Sequence, residues 1–184
     1  NTERVERMVN ETLDIEKIES GRTDFQLSSF AVGTAVSEVV RELAPLIHSR
    51  SLQLQTDIAA DLPPVRGDRD RIKDVVTNLL INAFDYSPEG GILRIICAAA
   101  VRGVRIGVWD QGPGVPPELR EKVFEKFYKG RKGGTGLGLA LCRSVVNAHH
   151  GRIWVENADI GGSAFIIELP ADEMDPDTGR NITV

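Results

Sequence analysis

Apolar residues recur at helical spacing in several segments of this 184-residue chain, and this spacing predicts helices there. The predicted helices cover residues 4–20, 33–48, 68–86 and 136–149, with a short one at 118–127. The first helix carries Val5, Met8, Thr12 and Ile15 at heptad-like spacing. Because a single amphipathic helix of this length is marginal in water, its apolar stripe needs a partner.

Short runs of apolar and β-branched residues predict strands between these helices. The predicted strands cover residues 24–28, 52–58, 92–99, 104–110, 152–156 and 163–169. The third and fourth flank Arg102-Gly103 and are expected to pair as a hairpin. Helices and strands do not alternate regularly, so we expect an α+β fold. It would be a two-layer α/β sandwich whose mixed, mostly antiparallel sheet is covered by helices on one face.

Composition narrows the functional classes. The 27 acidic and 22 basic residues are well mixed and give a net charge of −5, which argues against broad nucleic-acid binding. No apolar run is long enough to span a bilayer and no secretion signal is evident, so we expect no membrane contact by this part of the protein. Cys97 and Cys142 are expected to pack in the core, which fits a cytoplasmic location. The abrupt start at Asn1 suggests a piece of a longer protein, which leaves a membrane anchor elsewhere open.

Two glycine-rich segments carry the candidate chemistry. Asp110-Gln111-Gly112-Pro113-Gly114 follows a predicted strand, and Gly133-Gly134-Thr135-Gly136-Leu137-Gly138-Leu139 opens a predicted helix. Glycine allows backbone conformations with positive φ and lets a ligand approach the main chain. Free N–H groups at the start of a helix attract anions. One carboxylate beside two glycine loops is what an adenine-nucleotide pocket would need.

Four motifs, in order, resemble those of the ATP-binding catalytic (GHKL or Bergerat-type) domain of sensor histidine kinases. Asn78–Ala83, together with Tyr86, resembles the N box, and Asp110–Gly114 resembles the G1 box. Phe124–Phe127 resembles the F box, and Gly134–Leu139 resembles the G2 box. The resemblance covers about residues 23–170. The helix ending at Gly21 is similar to the second helix of the family's dimerisation and phosphoacceptor domain. We therefore expect a partial dimerisation domain at 1–22, a catalytic domain at 23–170 and a disordered acidic tail at 171–184.

The resemblance implies a site for ATP and Mg²⁺. It assigns the metal to Asn82 first, with Asn78 in support; the alternative for Asn78 is a hydrogen bond within the fold. The two residues are four apart, so their amides share one helix face, and amide oxygens suit Mg²⁺. Asp110 would accept a hydrogen bond from the exocyclic amine of adenine, the alternative being a turn-forming aspartate. The other residues implied to bind nucleotide are Tyr86, Gly112, Gly114, Phe127, Lys129, Gly134, Thr135, Gly136, Leu137 and Gly138.

The segment before the second glycine loop resembles the family's mobile lid, here about residues 128–135. Phe124 and Phe127 are expected to anchor this lid by packing. Lys129, Arg131 and Lys132 could meet phosphate charge, and a solvated basic loop is the alternative.

Two acidic residues of the N-box helix carry further implications. Asp74, one turn before Asn78, occupies the place of a general base in related ATPases and is the candidate catalytic residue. Asp85 stands where the family often carries a basic residue. Its charge would repel a triphosphate unless it points outward or lies near the metal.

The resemblance implies that the intact protein transfers the γ-phosphoryl group of ATP to a histidine. None of His48, His149 and His150 has the phosphoacceptor setting, so this chain alone should not autophosphorylate. The implied partners are a phosphoacceptor histidine domain of the parent kinase, a response regulator receiver domain and a second copy in a parent homodimer. Two alternatives stay open: an ATPase or serine kinase of the wider superfamily, and a nucleotide-binding regulatory module without catalysis.

Overall fold

Four helices and seven strands make up the part of the chain that the computed structural model describes, residues 2–130 and 133–173. The helices are α1 (Thr2–Glu19), α2 (Val32–Ser49), α3 (Arg69–Tyr86) and α4 (Gly138–Ala148). The strands are β1 (Leu27–Phe30), β2 (Gln53–Ile58), β3 (Val65–Asp68), β4 (Ile92–Ala100), β5 (Gly103–Trp109), β6 (Arg152–Asn157) and β7 (Ser163–Pro170).

A five-stranded mixed sheet in the order β2-β4-β5-β7-β6 forms one layer. Only the β2–β4 pair in it is parallel, and β4 and β5 form the expected hairpin with Arg94 opposite Trp109. Helices α2, α3 and α4 form the other layer and bury the apolar core against the sheet. The predicted two-layer α+β fold is confirmed.

Helix α3 begins at a side-chain cap and is held by a buried face. The Asp68 carboxylate accepts a hydrogen bond from the Arg71 N–H (3.1 Å), which satisfies one of the free donors at the start of the helix. The residues of α3 that are buried in the core are Ile72, Val75, Val76, Leu79, Leu80 and Ala83. Burial of this stripe, at roughly 1.5–3 kcal/mol for each large side chain, fixes which way the rest of the helix faces.

Strand β3 was not predicted, and a buried histidine explains its position. Asp68, at its end, donates its N–H to Nε2 of His149 (2.9 Å), while Nδ1 of that ring lies 2.7 Å from the Val145 carbonyl oxygen. This pattern requires a neutral ring with its proton on Nδ1. Gly67 permits the contact, because a Cβ there would lie 2.6 Å from Cδ2 of His149. The ring thus joins the end of α4 to the start of α3.

The prediction of a helix at residues 118–127 is wrong. Two short 3₁₀ helices, Pro117–Leu119 and Lys122–Phe124, occupy that segment. Phe124 is buried as expected, but Phe127 has a φ of 65° and its side chain is 53% exposed. Phe127 therefore does not anchor the lid by packing.

Strand pairing reaches the first residue of the predicted tail. Strand β7 includes Pro170, and Ala171 forms a bridge with Val65. The rest of the predicted disordered tail, residues 174–184, lies outside the described residues.

Helix α1 packs against α4. Ile15 is fully buried and contacts Leu137 and Ala140, with Met8 at the edge of the same cluster. Val5, from the same predicted stripe, remains 59% exposed. The stripe thus has a partner along only part of its length.

Both cysteines are buried in the core, as predicted. Cys97 lies in β4 and Cys142 in α4, and both are free thiols. Burial raises the pKa of each thiol to about 12. None of the helices within the described residues is long and apolar enough to cross a membrane.

Candidate functional site

A cavity of 510 Å³ opens between α3, the loop after β5, the glycine loop before α4, and α1. Nine of the residues implied to bind nucleotide or metal line it. They are Asn78, Asn82, Tyr86, Asp110, Gly114, Gly134, Thr135, Gly136 and Gly138. Residues from the two glycine segments, 20 or more positions apart in sequence, therefore meet at one site.

Asp110 directly follows β5, lines this cavity and is only 2% exposed. It lies beside Tyr86, the last residue of α3, since its Oδ1 and the Tyr86 carbonyl oxygen would both be within 2.9 Å of a Cβ placed on Gly112. Its Oδ1 accepts hydrogen bonds from the backbone N–H groups of Gly112 (2.7 Å) and Ser163 (3.2 Å). Burial raises the pKa of the Asp110 carboxyl, and the hydrogen bonds from Gly112 and Ser163 partly oppose this rise. The carboxyl group is thus held in a fixed orientation beside the cavity.

Asn78 and Asn82 lie on the face of α3 that lines the cavity. Oδ1 of Asn78 would lie 3.9 Å from a Cβ placed on Gly138, so α3 and the start of α4 approach closely. Within residues 2–130 and 133–173, no cluster of three or more His, Cys, Asp or Glu side chains could hold a metal ion. The side-chain amide oxygens of Asn78 and Asn82 are donors of the kind that suits a hard cation such as Mg²⁺.

The glycine loop before α4 contains three residues with positive φ: Gly133 (78°), Gly134 (97°) and Gly136 (74°). At Gly136 a side chain is also excluded by space, because a Cβ would lie 2.8 Å from the Tyr128 carbonyl oxygen. The Gly136 carbonyl accepts a hydrogen bond from the Phe127 N–H (2.8 Å), which closes the loop. Glycine is therefore required at this position.

Thr135 connects this loop to helix α1. It is 5% exposed, and its hydroxyl donates a hydrogen bond to Oε2 of Glu11 (2.7 Å). Its Oγ1 also accepts the N–H of Leu137 (3.2 Å), just before α4 begins. One side chain thus holds both the start of α4 and a carboxylate of α1.

Five of the predicted site residues do not line the cavity. Gly112 acts on Asp110 through its N–H, and Leu137 is fully buried against α1. Phe127 and Lys129 are exposed, and Asp74 has a 64% exposed side chain 3.9 Å from Arg71.

The binding roles of these residues, and the catalytic role of Asp74, stay predictions. Arg131 and Lys132 lie outside the described residues.

Charged residues outside the predicted set of binding residues also line the cavity, and sequence reasoning missed two of them. Arg7 and Glu11 reach it from α1, and they form an i,i+4 ion pair at 3.9 Å. Asp85, an exposed residue near the end of α3, also lines the cavity. No local signal identifies Arg7 and Glu11, because they meet the cavity through packing between segments more than 100 residues apart.

Comparison with known proteins gives matches along most of the chain. A family model described as histidine kinase-, DNA gyrase B-, and HSP90-like ATPase matches residues 67–173. The adaptive-response sensory kinase SasA of Gloeothece citriformis is 33% identical over 169 residues, which cover 89% of this chain and 43% of the relative. The chain thus spans less than half the length of this curated relative.

Solved structures with the same fold include two other histidine kinases. The catalytic domain of ThkA is 34% identical with a TM-score of 0.73, over 80% of this chain and 99% of that one. A structure of ThkA in complex with the response regulator protein TrrA has a TM-score of 0.73 and 29% identity, over 95% of this chain and 50% of that one. Full-length ShkA in complex with AMPPNP has a TM-score of 0.78 and 27% identity, over 90% of this chain and 35% of that one.

The chain belongs to the family of histidine kinase-, DNA gyrase B- and HSP90-like ATPases. Within that family it contains the ATP-binding catalytic domain of a two-component sensor histidine kinase.

Proposed function

We propose that this domain holds ATP and Mg²⁺ in the cavity and that the intact protein transfers the γ-phosphoryl group to a histidine outside this chain. One observation carries the proposal. A single cavity is lined by a buried, oriented carboxyl group beside the last residue of α3 and by the amides of Asn82 and Asn78, one and two turns earlier in that helix. A purine with an anionic chain fits that arrangement.

Asp110 would recognise adenine. Its carboxylate, oriented by the Gly112 and Ser163 N–H groups, can accept a hydrogen bond from the exocyclic amine. Guanine presents a carbonyl oxygen there instead, which would leave two acceptors facing each other at a cost of about 1–3 kcal/mol.

Asn82, supported by Asn78, would hold Mg²⁺ in the same cavity. The amide oxygens provide neutral, hard donors, which fits a cation that takes its remaining ligands from phosphates and water. Bound there, Mg²⁺ would neutralise phosphate charge during phosphoryl transfer. The N–H groups of the Gly134–Gly138 loop, at the start of α4, would face the phosphates.

The phosphoacceptor would come from another domain. Among the described residues, none of the three histidines lines the cavity, and His149 has both ring nitrogens engaged inside the core. Phosphoryl transfer depends mainly on positioning and charge neutralisation, which suits a domain that supplies no nucleophile of its own.

The same proposal includes the partners and location of the parent protein. A response regulator receiver domain would take the phosphoryl group onward, as the ThkA–TrrA complex suggests by analogy. We further propose that the parent is a homodimer and that this domain works in the cytoplasm.

The experiment combines nucleotide binding with phosphate transfer. Calorimetry with ATP, with and without Mg²⁺, should show binding that Mg²⁺ strengthens. Addition of a separate phosphoacceptor domain and labelled ATP should then place label on a histidine. Rapid turnover without an acceptor would instead favour an independent ATPase. Tight binding with neither outcome would favour a regulatory module without catalysis.

A further inference from the structure

We propose that Arg7 of helix α1 is a phosphate-binding residue of the nucleotide site; this inference rests on the proposed function. The charges around the cavity motivate it. Three carboxyl groups line the cavity, from Glu11, Asp85 and Asp110, and among the lining residues of the described chain Arg7 is the sole cation. A polyphosphate placed among these carboxylates needs a positive side chain, and a guanidinium matches phosphate oxygens in pairs.

The position of Arg7 places it at the phosphate end of the cavity. Arg7 lies 3.9 Å from Glu11, and Glu11 accepts the hydrogen bond of Thr135 within the glycine loop. That loop opens α4, whose first residue, Gly138, faces Asn78. Arg7 is therefore on the same side of the cavity as the residues proposed to hold Mg²⁺ and phosphate.

Arg7 also has freedom to turn toward a ligand. Its side chain is 63% exposed, and its ion pair with Glu11 has a long separation that gives little energy at the surface. A triphosphate with higher charge can compete for the guanidinium at small cost.

The helix that carries Arg7 is docked through its C-terminal half. Ile15 of α1 is fully buried against α4, and Glu19 pairs with Lys126 at 2.8 Å. Asp14 lies 3.6 Å from Arg71 of α3, so α1 is tied to both helices that border the cavity. Arg7 is thus presented to the site by a docked helix, which lowers the ordering cost of its contact with a ligand.

Calorimetry on the whole chain, with Mg·ATP and with adenosine, tests this role. Arg7→Ala should weaken ATP binding roughly tenfold, because it removes one charge-assisted hydrogen bond of a partly exposed side chain. Adenosine affinity should stay within about twofold. Arg7→Lys should recover part of the loss, and higher salt should narrow the difference between wild type and Arg7→Ala.

Glu11→Gln separates direct contact from an effect through Glu11. Glutamine keeps an oxygen for Thr135 but removes a negative charge from the phosphate end, so ATP affinity should rise about two- to fivefold. Arg7→Ala should still weaken ATP binding in this background. Lys17→Ala is the matched control, because Lys17 is an exposed cation of α1 that does not line the cavity, and it should bind ATP like wild type.

Three outcomes would overturn the inference. They are wild-type ATP affinity in Arg7→Ala, an equal loss for ATP and adenosine, and no loss in the Glu11→Gln background. An unchanged unfolding temperature without nucleotide confirms that Arg7→Ala keeps the fold. If the wild-type chain bound neither ATP nor adenosine, the proposed function itself would fail, and this inference with it.

Discussion

Replacement of Asp110 by asparagine tests whether this carboxyl group recognises adenine. Oδ1 accepts two backbone N–H groups, from Gly112 (2.7 Å) and Ser163 (3.2 Å), and an asparagine oxygen can keep both bonds. The amide NH₂ would then occupy the other position of the carboxyl group. It is a donor, so it cannot pair with the exocyclic amine of adenine.

The expected loss follows from that one contact. A hydrogen bond to a charged group contributes about 1.5–3 kcal/mol, so ATP should bind roughly 10- to 150-fold more weakly. The carbonyl oxygen of guanine would meet the new donor, and a neutral hydrogen bond of about 0.5–1.5 kcal/mol should improve GTP binding. The preference for ATP over GTP should therefore fall by about 2–4.5 kcal/mol, the sum of the two effects.

Titration calorimetry with ATP and GTP measures both affinities. Asp159→Asn is the matched control, since Asp159 is 68% exposed, pairs with Arg94 at 3.0 Å and does not line the cavity. That variant should keep the wild-type preference. A folded Asp110→Asn protein with wild-type ATP affinity would refute the reasoning. An equal loss for ATP and GTP would show that Asp110 supports the loop and does not read the base.

Three further predictions concern the glycine loop, the metal and the buried histidine. Gly136→Ala should weaken ATP binding at least about tenfold, because its φ of 74° and the 2.8 Å approach to Tyr128 both disfavour a Cβ. Asn82→Ala should remove most of the gain in ATP affinity that Mg²⁺ gives, as seen by calorimetry. Burial lowers the pKa of His149 in the folded state below the ordinary value of about 6.5. The free energy of unfolding should therefore fall as the pH drops from about 6.5 toward the lowered pKa of the folded state. Denaturant titrations should show a decrease of at most about 1.4 kcal/mol per pH unit.

Each of these predictions has a control and an opposing result. Gly161→Ala is the control for the glycine loop, because Gly161 has a similar φ of 85° but open space where the Cβ would lie. Equal ATP affinities of the Gly161→Ala and Gly136→Ala variants would contradict the steric argument. Asn147→Ala is the control for Asn82, because Asn147 lies on the exposed side of α4. An equal loss of the Mg²⁺-dependent gain in ATP affinity in that variant would contradict the role of Asn82. His149→Gln should lose the pH dependence between 7.5 and 5.5 (a window of about one unit on each side of the ordinary histidine pKa). A slope equal to that of wild type would assign it to other groups.

The amino-acid sequence predicts the main framework because its signals are local. Helix α3 has Asp68 as a cap and a regular apolar stripe, and the β4–β5 hairpin has two apolar runs around Arg102-Gly103. Strand β3 has no such signal. Four residues after a pair of prolines form a strand only because β1 pairs with them and His149 binds their last N–H.

The candidate site divides in the same way. Asp110, Asn82 and the glycines lie in contiguous motifs, so their meeting in one cavity could be predicted from the resemblance. The prediction of one helix at 118–127 was wrong because the segment forms two separate 3₁₀ helices. It ends at Phe127, whose positive φ is incompatible with a right-handed helix. Arg7 and Glu11 could not be found, since their place depends on how α1 packs on α4.

The two shielded sulfur atoms give this protein an internal reporter of motion. Cys142 lies in α4 with its Sγ 3.9 Å from the Val75 carbonyl oxygen of α3, so a thiol reagent can reach it only when these helices separate. Its labelling rate would measure how often the wall beside Asn78 opens. A cysteine introduced at exposed position 127 would react at once, so a dye could be attached there while both native thiols stay in place.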